Sequence, residues 1–114
     1  MKLKIKNIKN KETDEERVVL TVSEDCDIGK YFIFISKKIN DKIVYTSIKR
    51  PFWFPDKVVK KGDLVVLYTK KGDDSFKENK DGSTSHFYFR NLKSPIHIDN
   101  YYALLVESNT WKTE

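Results

Sequence analysis

An aromatic run halted by a proline, a short basic turn and then an apolar strand narrow the possible folds more than any other part of this chain. The segment reads Phe52-Trp53-Phe54-Pro55-Asp56-Lys57-Val58-Val59-Lys60-Lys61-Gly62-Asp63-Leu64-Val65-Val66-Leu67-Tyr68-Thr69. Pro51 and Pro55 bracket the aromatics, and neither can donate a ladder hydrogen bond, so pairing is interrupted at both. The Lys61-Gly62-Asp63 corner then launches a strand that is apolar on both faces. This order predicts a β-sandwich in which the chain leaves one sheet and enters the facing one. The pattern is architectural and carries no catalytic chemistry.

Strand signals dominate the rest of the chain. Lys2 to Ile8 alternates, with Leu3 and Ile5 on one face and Lys2, Lys4 and Lys6 on the other. Asn10 to Glu16 is a charged turn, and Arg17 to Val22 is a β-branched strand. Ser23 to Lys30 reads as a loop. Tyr31 to Ile35 is apolar at every position, which predicts an interior strand covered on each side. Asn40-Asp41 offers a hairpin turn into a strand over Ile43 to Ile48. Ser85 to Arg90 and Tyr101 to Val106 are the last strands, separated by Pro95. Gly72 to Ser85 has the polar composition of a disordered loop, and 109–114 is a tail containing Trp111. The expectation is all-β: an immunoglobulin-like sandwich of two antiparallel sheets with about seven to eight strands.

At 114 residues the chain is read as one domain spanning 1–114, and aromatics at 13% supply enough buried area for a core despite 34% charged residues. The net charge of +5 comes almost wholly from lysine, since Arg17, Arg50 and Arg90 are the three arginines. Readers of guanine and phosphate favour arginine, so this excess speaks more for solubility than for nucleic acid. Cys26 is the single cysteine, which excludes an intrachain disulfide, and its neighbours Asp25 and Asp27 raise its thiol pKa. No apolar leader or bilayer-length run is present, so the reading is a cytoplasmic protein with no membrane partner.

No catalytic, cofactor-binding or metal-ligating set emerges. His86 and His97 are too far apart for a local ligand pair and lack a second cysteine. Asn79-Lys80-Asp81-Gly82 looks like the middle of a calcium loop, but Lys77 and Tyr88 fall on its first and last ligand positions. Ser85 and His86 are adjacent on a strand and so project to opposite faces. The four glycines show no phosphate-cradle spacing. A hydrolase would have to be built around His86 and the acidic loop. The candidate interaction residues are therefore Trp53, if it faces outward, with Tyr88 and Trp111 as weaker aromatics. Lys57, Lys60, Lys61, Lys70 and Lys71 join them, at the turns flanking Leu64 to Thr69. Lys2, Lys4 and Lys6 read as edge protection.

The order of these signals resembles the lamin tail domain, an immunoglobulin-like sandwich found in nuclear lamins and in many bacterial proteins. The resemblance spans roughly residues 2 to 111. Its most specific piece is Phe54-Pro55-Asp56-Lys57-Val58-Val59-Lys60-Lys61-Gly62-Asp63 followed by Leu64-Val65-Val66-Leu67. That piece is similar to the family's Phe-Pro, short spacer, Leu-Lys-x-Gly and apolar strand. Val19 to Val22 before an acidic loop ending near Gly29 is similar to its early strand and loop. Val59 replaces the family's leucine, Gly29-Lys30-Tyr31 replaces its Gly-Trp pair, and Asp74 to Ser85 resembles an insertion. The resemblance implies a stand-alone module of the bacterial type without enzymatic chemistry or cofactor. The functional expectation is protein binding through a sandwich face or loop end. The alternative is weak, salt-sensitive nucleic-acid binding through the turn lysines.

Overall fold

The computed structural model describes residues 1–37, 49–97 and 101–113, Lys49 through its backbone alone. Among these residues the chain is all-β. Its strands are β1 (Leu3–Lys9), β2 (Arg17–Val22), β3 (Cys26–Asp27), β4 (Tyr31–Lys37), β5 (Lys49–Trp53), β6 (Val58–Val59), β7 (Leu64–Tyr68), β8 (Ser75–Glu78), β9 (Thr84–Phe89) and β10 (Tyr101–Glu107). One 3-10 turn covers Ile28–Lys30. A five-stranded sheet runs β1-β2-β7-β9-β8, a three-stranded sheet runs β10-β4-β5, and β3 pairs with β6 as a two-stranded ribbon. The strand expected over Ile43 to Ile48, and its Asn40-Asp41 turn, lie outside the described residues.

Alternation places the core. Val18 and Leu20 of β2, Val65 and Leu67 of β7 and Tyr88 of β9 face Tyr31 and Ile33 of β4 and Phe54 beyond β5. Leu3, Ile28 and Val59 complete this buried cluster. In β1 the apolar spacing changes from Leu3 and Ile5 to Ile8, an odd step that strict pleating would turn outward. The register shifts between Ile5 and Asn7, so a bulge at Lys6 returns Ile8 to the core side.

The crossing segment behaves as its residue order predicts. Phe54 N–H donates to the Tyr31 carbonyl at 3.3 Å, and Pro55 ends that pairing. Val58 and Val59 pair with β3, which places the chain between the sheets. Gly62 turns it at φ +92°, a left-handed conformation that favours glycine, and its N–H donates to the Val22 carbonyl at 2.9 Å. Asp63 closes the corner by accepting from Lys60 N–H at 3.0 Å, and β7 follows in the large sheet.

Two expectations need correction. The stretch 72–85 is not a loop throughout, because Ser75–Glu78 forms β8 and pairs antiparallel with β9. The intervening turn is ordered by its own side chains: Asp81 Oδ1 accepts from Ser83 N–H at 2.9 Å, and Gly82 sits at φ +87°. Every residue of β8 is exposed, so it buries no apolar face and leaves no compositional trace. Its excursion also makes β7 and β9 parallel neighbours, because the chain passes to the sheet edge before returning. Second, Tyr31 to Ile35 is not covered equally on both sides. Ile33 and Ile35 are buried, whereas Phe32 and Phe34 are half-exposed on the outer face.

Candidate interaction face

The outer face of the three-stranded sheet is built by register. Phe32 is paired with Trp53 on one side and Val106 on the other, and Phe34 with Leu104. Directly opposed residues share a face, so these side chains form one apolar surface. Their rings meet in series. Phe34 stacks on Phe32 at 6.2 Å between centroids, Phe32 lies 4.7 Å from Trp53, and Trp53 meets the edge of Trp111 at 5.0 Å. Trp53 is 43% exposed and Trp111 64% exposed.

Trp53 is held there by the corner that follows it. Its indole N–H donates to the Gly29 carbonyl. A side chain at Gly29 would place Cβ 2.0 Å from Asp56 Oδ1 and 2.9 Å from Asp56 Cα, so only glycine lets the Pro55-Asp56 corner close over the 3-10 turn. Asp27 Oδ1 accepts from Gly29 N–H at 2.9 Å and from Lys57 N–H at 3.1 Å, tying the turn to the corner. Phe52 turns inward and meets Phe54 edge-on at 5.2 Å. Alternation alone thus separates an outward indole from two inward phenyl rings.

The other candidates fall elsewhere. Tyr88 is a correction: it is 6% exposed, packs edge-on against Phe54 at 5.5 Å, and burial followed by the Asp74 charge raises its phenol pKa. It shares the inward face of β9 with His86, while Phe87 and Phe89 turn outward to Tyr68. Lys57, Lys60 and Lys61 lie before β7, and Lys70 and Lys71 lie after it. Strand β7 rises about 13 Å over its five residues, so the turn lysines form two groups, one at each of its ends. Lys60 Nζ stands 3.6 Å from Asp25. Lys70 Nζ is paired with Glu15 and lies 5.1 Å over the Tyr68 ring. Lys57, Lys61 and Lys71 are exposed. Lys4 and Lys6 are exposed on β1, which is an edge strand, and Lys2 is exposed just before it.

The titratable groups of the hydrolase candidate lie largely within the fold. His86 Nε2 and Asp63 Oδ2 are 3.0 Å apart and both side chains are buried. Burial acts to raise the Asp63 pKa, but N–H donors from Lys60 and Thr84 and the His86 ring together hold it below the ordinary carboxylate range. Ser85 Oγ turns to the other face and accepts from Asn79 Nδ2 at 3.0 Å. His86 and Tyr88 floor an open cleft of about 250 Å³ rimmed by Pro55, Asp56, Lys57 and Asp74. Cys26 has its thiol pKa raised, by burial first and then by Asp27, Glu107 and Asp25, against the pull of Lys2. Among the described residues no group of three His, Cys, Asp or Glu side chains is placed to hold a metal ion. Nor is any helix there long and apolar enough to cross a membrane.

No protein-family model, no curated protein and no solved structure matches this chain.

Proposed function

We propose that this chain is a lamin-tail-like, non-enzymatic interaction module that captures a protein partner on the outer face of its three-stranded sheet. The observation that carries the reading is the exposed indole of Trp53 at the centre of a ring series with Phe32 and Trp111. Large rigid aromatics held in place by a folded scaffold lose little entropy on binding and dominate interface energetics. The crossing corner from Phe54 to Asp63 supports the family likeness, because it carries the chain from one sheet to the other as that signature requires.

Both tryptophans of the chain lie on this face, so their fluorescence reports directly on its occupation. A genuine partner blue-shifts the emission on binding. Trp53→Ala and Trp111→Ala each weaken that partner by about tenfold or more, since hot-spot truncations cost about 2 kcal/mol. Trp111 sits in the tail beyond β10, so its variant keeps the wild-type unfolding midpoint. A partner that binds both variants with wild-type affinity, or leaves the emission unmoved, refutes the assignment.

A further inference from the structure

Two of the chain's arginines meet at one place. Arg90, just past β9, donates from Nη1 to the Arg50 carbonyl at 2.6 Å, and its guanidinium lies 5.8 Å over the Phe52 ring. Its Nε is buried with no partner among the described residues. Burial, and next the neighbouring charge of Arg50, push its pKa down to about 10 against the pull of Glu16. A cavity of about 240 Å³ opens here, lined by Arg50, Leu92, Lys93, Ser94, Pro95 and Ile96. Among the described residues no carboxylate lines it. The oxygens of Glu16 are already occupied by the N–H groups of Glu12, Ile96 and His97 and by the Thr69 hydroxyl. Among the described residues the cavity wall carries two cations, Arg50 and Lys93, with Arg90 hydrogen-bonded behind Arg50 and Asp14 in the adjoining cleft beside Lys93.

The backbone marks the same spot. Arg50 has φ +51°, a left-handed conformation costly for a long side chain, and Asn91 has φ +58°, which asparagine adopts readily. Arg50 also sits where the β4–β5 register shifts. Strain of this kind persists where surrounding structure enforces it, and it concentrates at ligand sites.

We infer that this cavity binds an oxyanion, the dianionic phosphate of a phosphomonoester, with Arg50 and Lys93 as its charged contacts and Ser94 as a neutral donor. Arg50 offers a planar pair of donors suited to two phosphate oxygens, Lys93 supplies a point charge, and Arg90, bonded to the Arg50 carbonyl, adds positive field. Two lining cations, Arg50 and Lys93, match a dianion better than a carboxylate or a phosphodiester, which each carry one negative charge. The site is separate from the aromatic face, so either assignment stands or falls alone.

The probe is inorganic phosphate, titrated at constant ionic strength against chloride and followed by thermal unfolding and amide NMR shifts. Saturable stabilisation is expected, with the largest shifts at Arg50 and residues 92–96. β-Glycerophosphate behaves the same way, and dimethyl phosphate binds at least about tenfold more weakly. Lys93→Gln, an exposed change, and Arg50→Lys, which keeps the charge but loses the fork, each weaken phosphate by about tenfold. Lys4→Gln leaves binding within about twofold. A response identical to chloride, equal binding in both site variants, or equal affinity for dimethyl phosphate overturns the inference.

Discussion

Glu16 shows how one buried carboxylate can organise segments far apart in sequence. It is fully buried, and it accepts from Glu12 N–H at 2.9 Å, the Thr69 hydroxyl at 2.7 Å and Ile96 N–H at 2.9 Å. Burial acts to raise its pKa, yet these donors together with His97 N–H hold it below its ordinary value. Glu16→Ala leaves several buried donors without an acceptor, so it destabilises the fold by about 3 kcal/mol or more in urea unfolding. A loss typical of an exposed glutamate disproves that role. His97 adds a pH dependence. Burial lowers its pKa from 6.5 to about 4, with the Glu16 charge opposing the shift and Arg90 and Lys11 reinforcing it. Between those values the unfolded chain takes up a proton that the folded chain refuses. Its contribution is therefore complete above pH 6.5 and falls as pH drops toward 4, by about 3 kcal/mol at most. Glu16 and Asp63, with lowered pKa values, lose their contributions only below the ordinary carboxylate range. Unfolding free energies measured from pH 7.5 down to about 2 decline in that order, and His97→Gln flattens the first stage while sparing the second. None of this was legible in the sequence. Glu16 stands among the acids of a charged turn, and its partners lie in segments that only the folded chain brings near.

At the scale of elements, what local chemistry dictates was readable and what distant pairing dictates was not. Pro55 and Gly62 act on their own backbone, so the crossing from β5 to β7 followed from residue order. Strand β8 takes its stability from the β9 ladder rather than from burial, and the parallel neighbours β7 and β9 owe their adjacency to that excursion. Neither leaves a periodic signal. The candidate face divided in the same way. Trp53 alternates with Phe52 and Phe54 within one strand, so its outward position was accessible to pattern reading, but its contacts with Phe32 and Trp111 join segments far apart in the chain. Tyr88 was ambiguous because Phe87 and Phe89 are as apolar as it is, and alternation could not choose the inward set. Gly29 makes the dependence between elements testable. Gly29→Ala forces the Asp56 backbone away from the 3-10 turn and strains the indole bond to the Gly29 carbonyl. A cost of about 1–3 kcal/mol is expected, together with altered tryptophan emission in the folded state. Wild-type stability with unchanged emission means that the corner does not position Trp53.

Across the whole molecule, apolar surface and positive charge are distributed differently, and that separates the two functional readings. The rings of the outer face are contiguous, whereas the turn lysines form groups at the two ends of β7, separated by its rise of about 13 Å. Lys60 and Lys70 are also engaged by Asp25 and Glu15. A protein tracking a phosphate backbone gains affinity by releasing counterions from adjacent phosphates, and log affinity falls with log salt in proportion to the contacts made. Two separated groups engage few phosphates at once. Fluorescence anisotropy with a labelled 20-base-pair duplex should therefore show a shallow salt dependence, with a slope of about −2 or less in magnitude, and no saturable binding near physiological salt. Replacing Lys57, Lys60 and Lys61 by glutamine should add to, not multiply with, the free-energy effect of replacing Lys70 and Lys71, because groups this far apart couple weakly. A steep slope lost on mutating either group alone would mean that one bound strand spans both ends of β7, and the nucleic-acid reading would then displace the aromatic one.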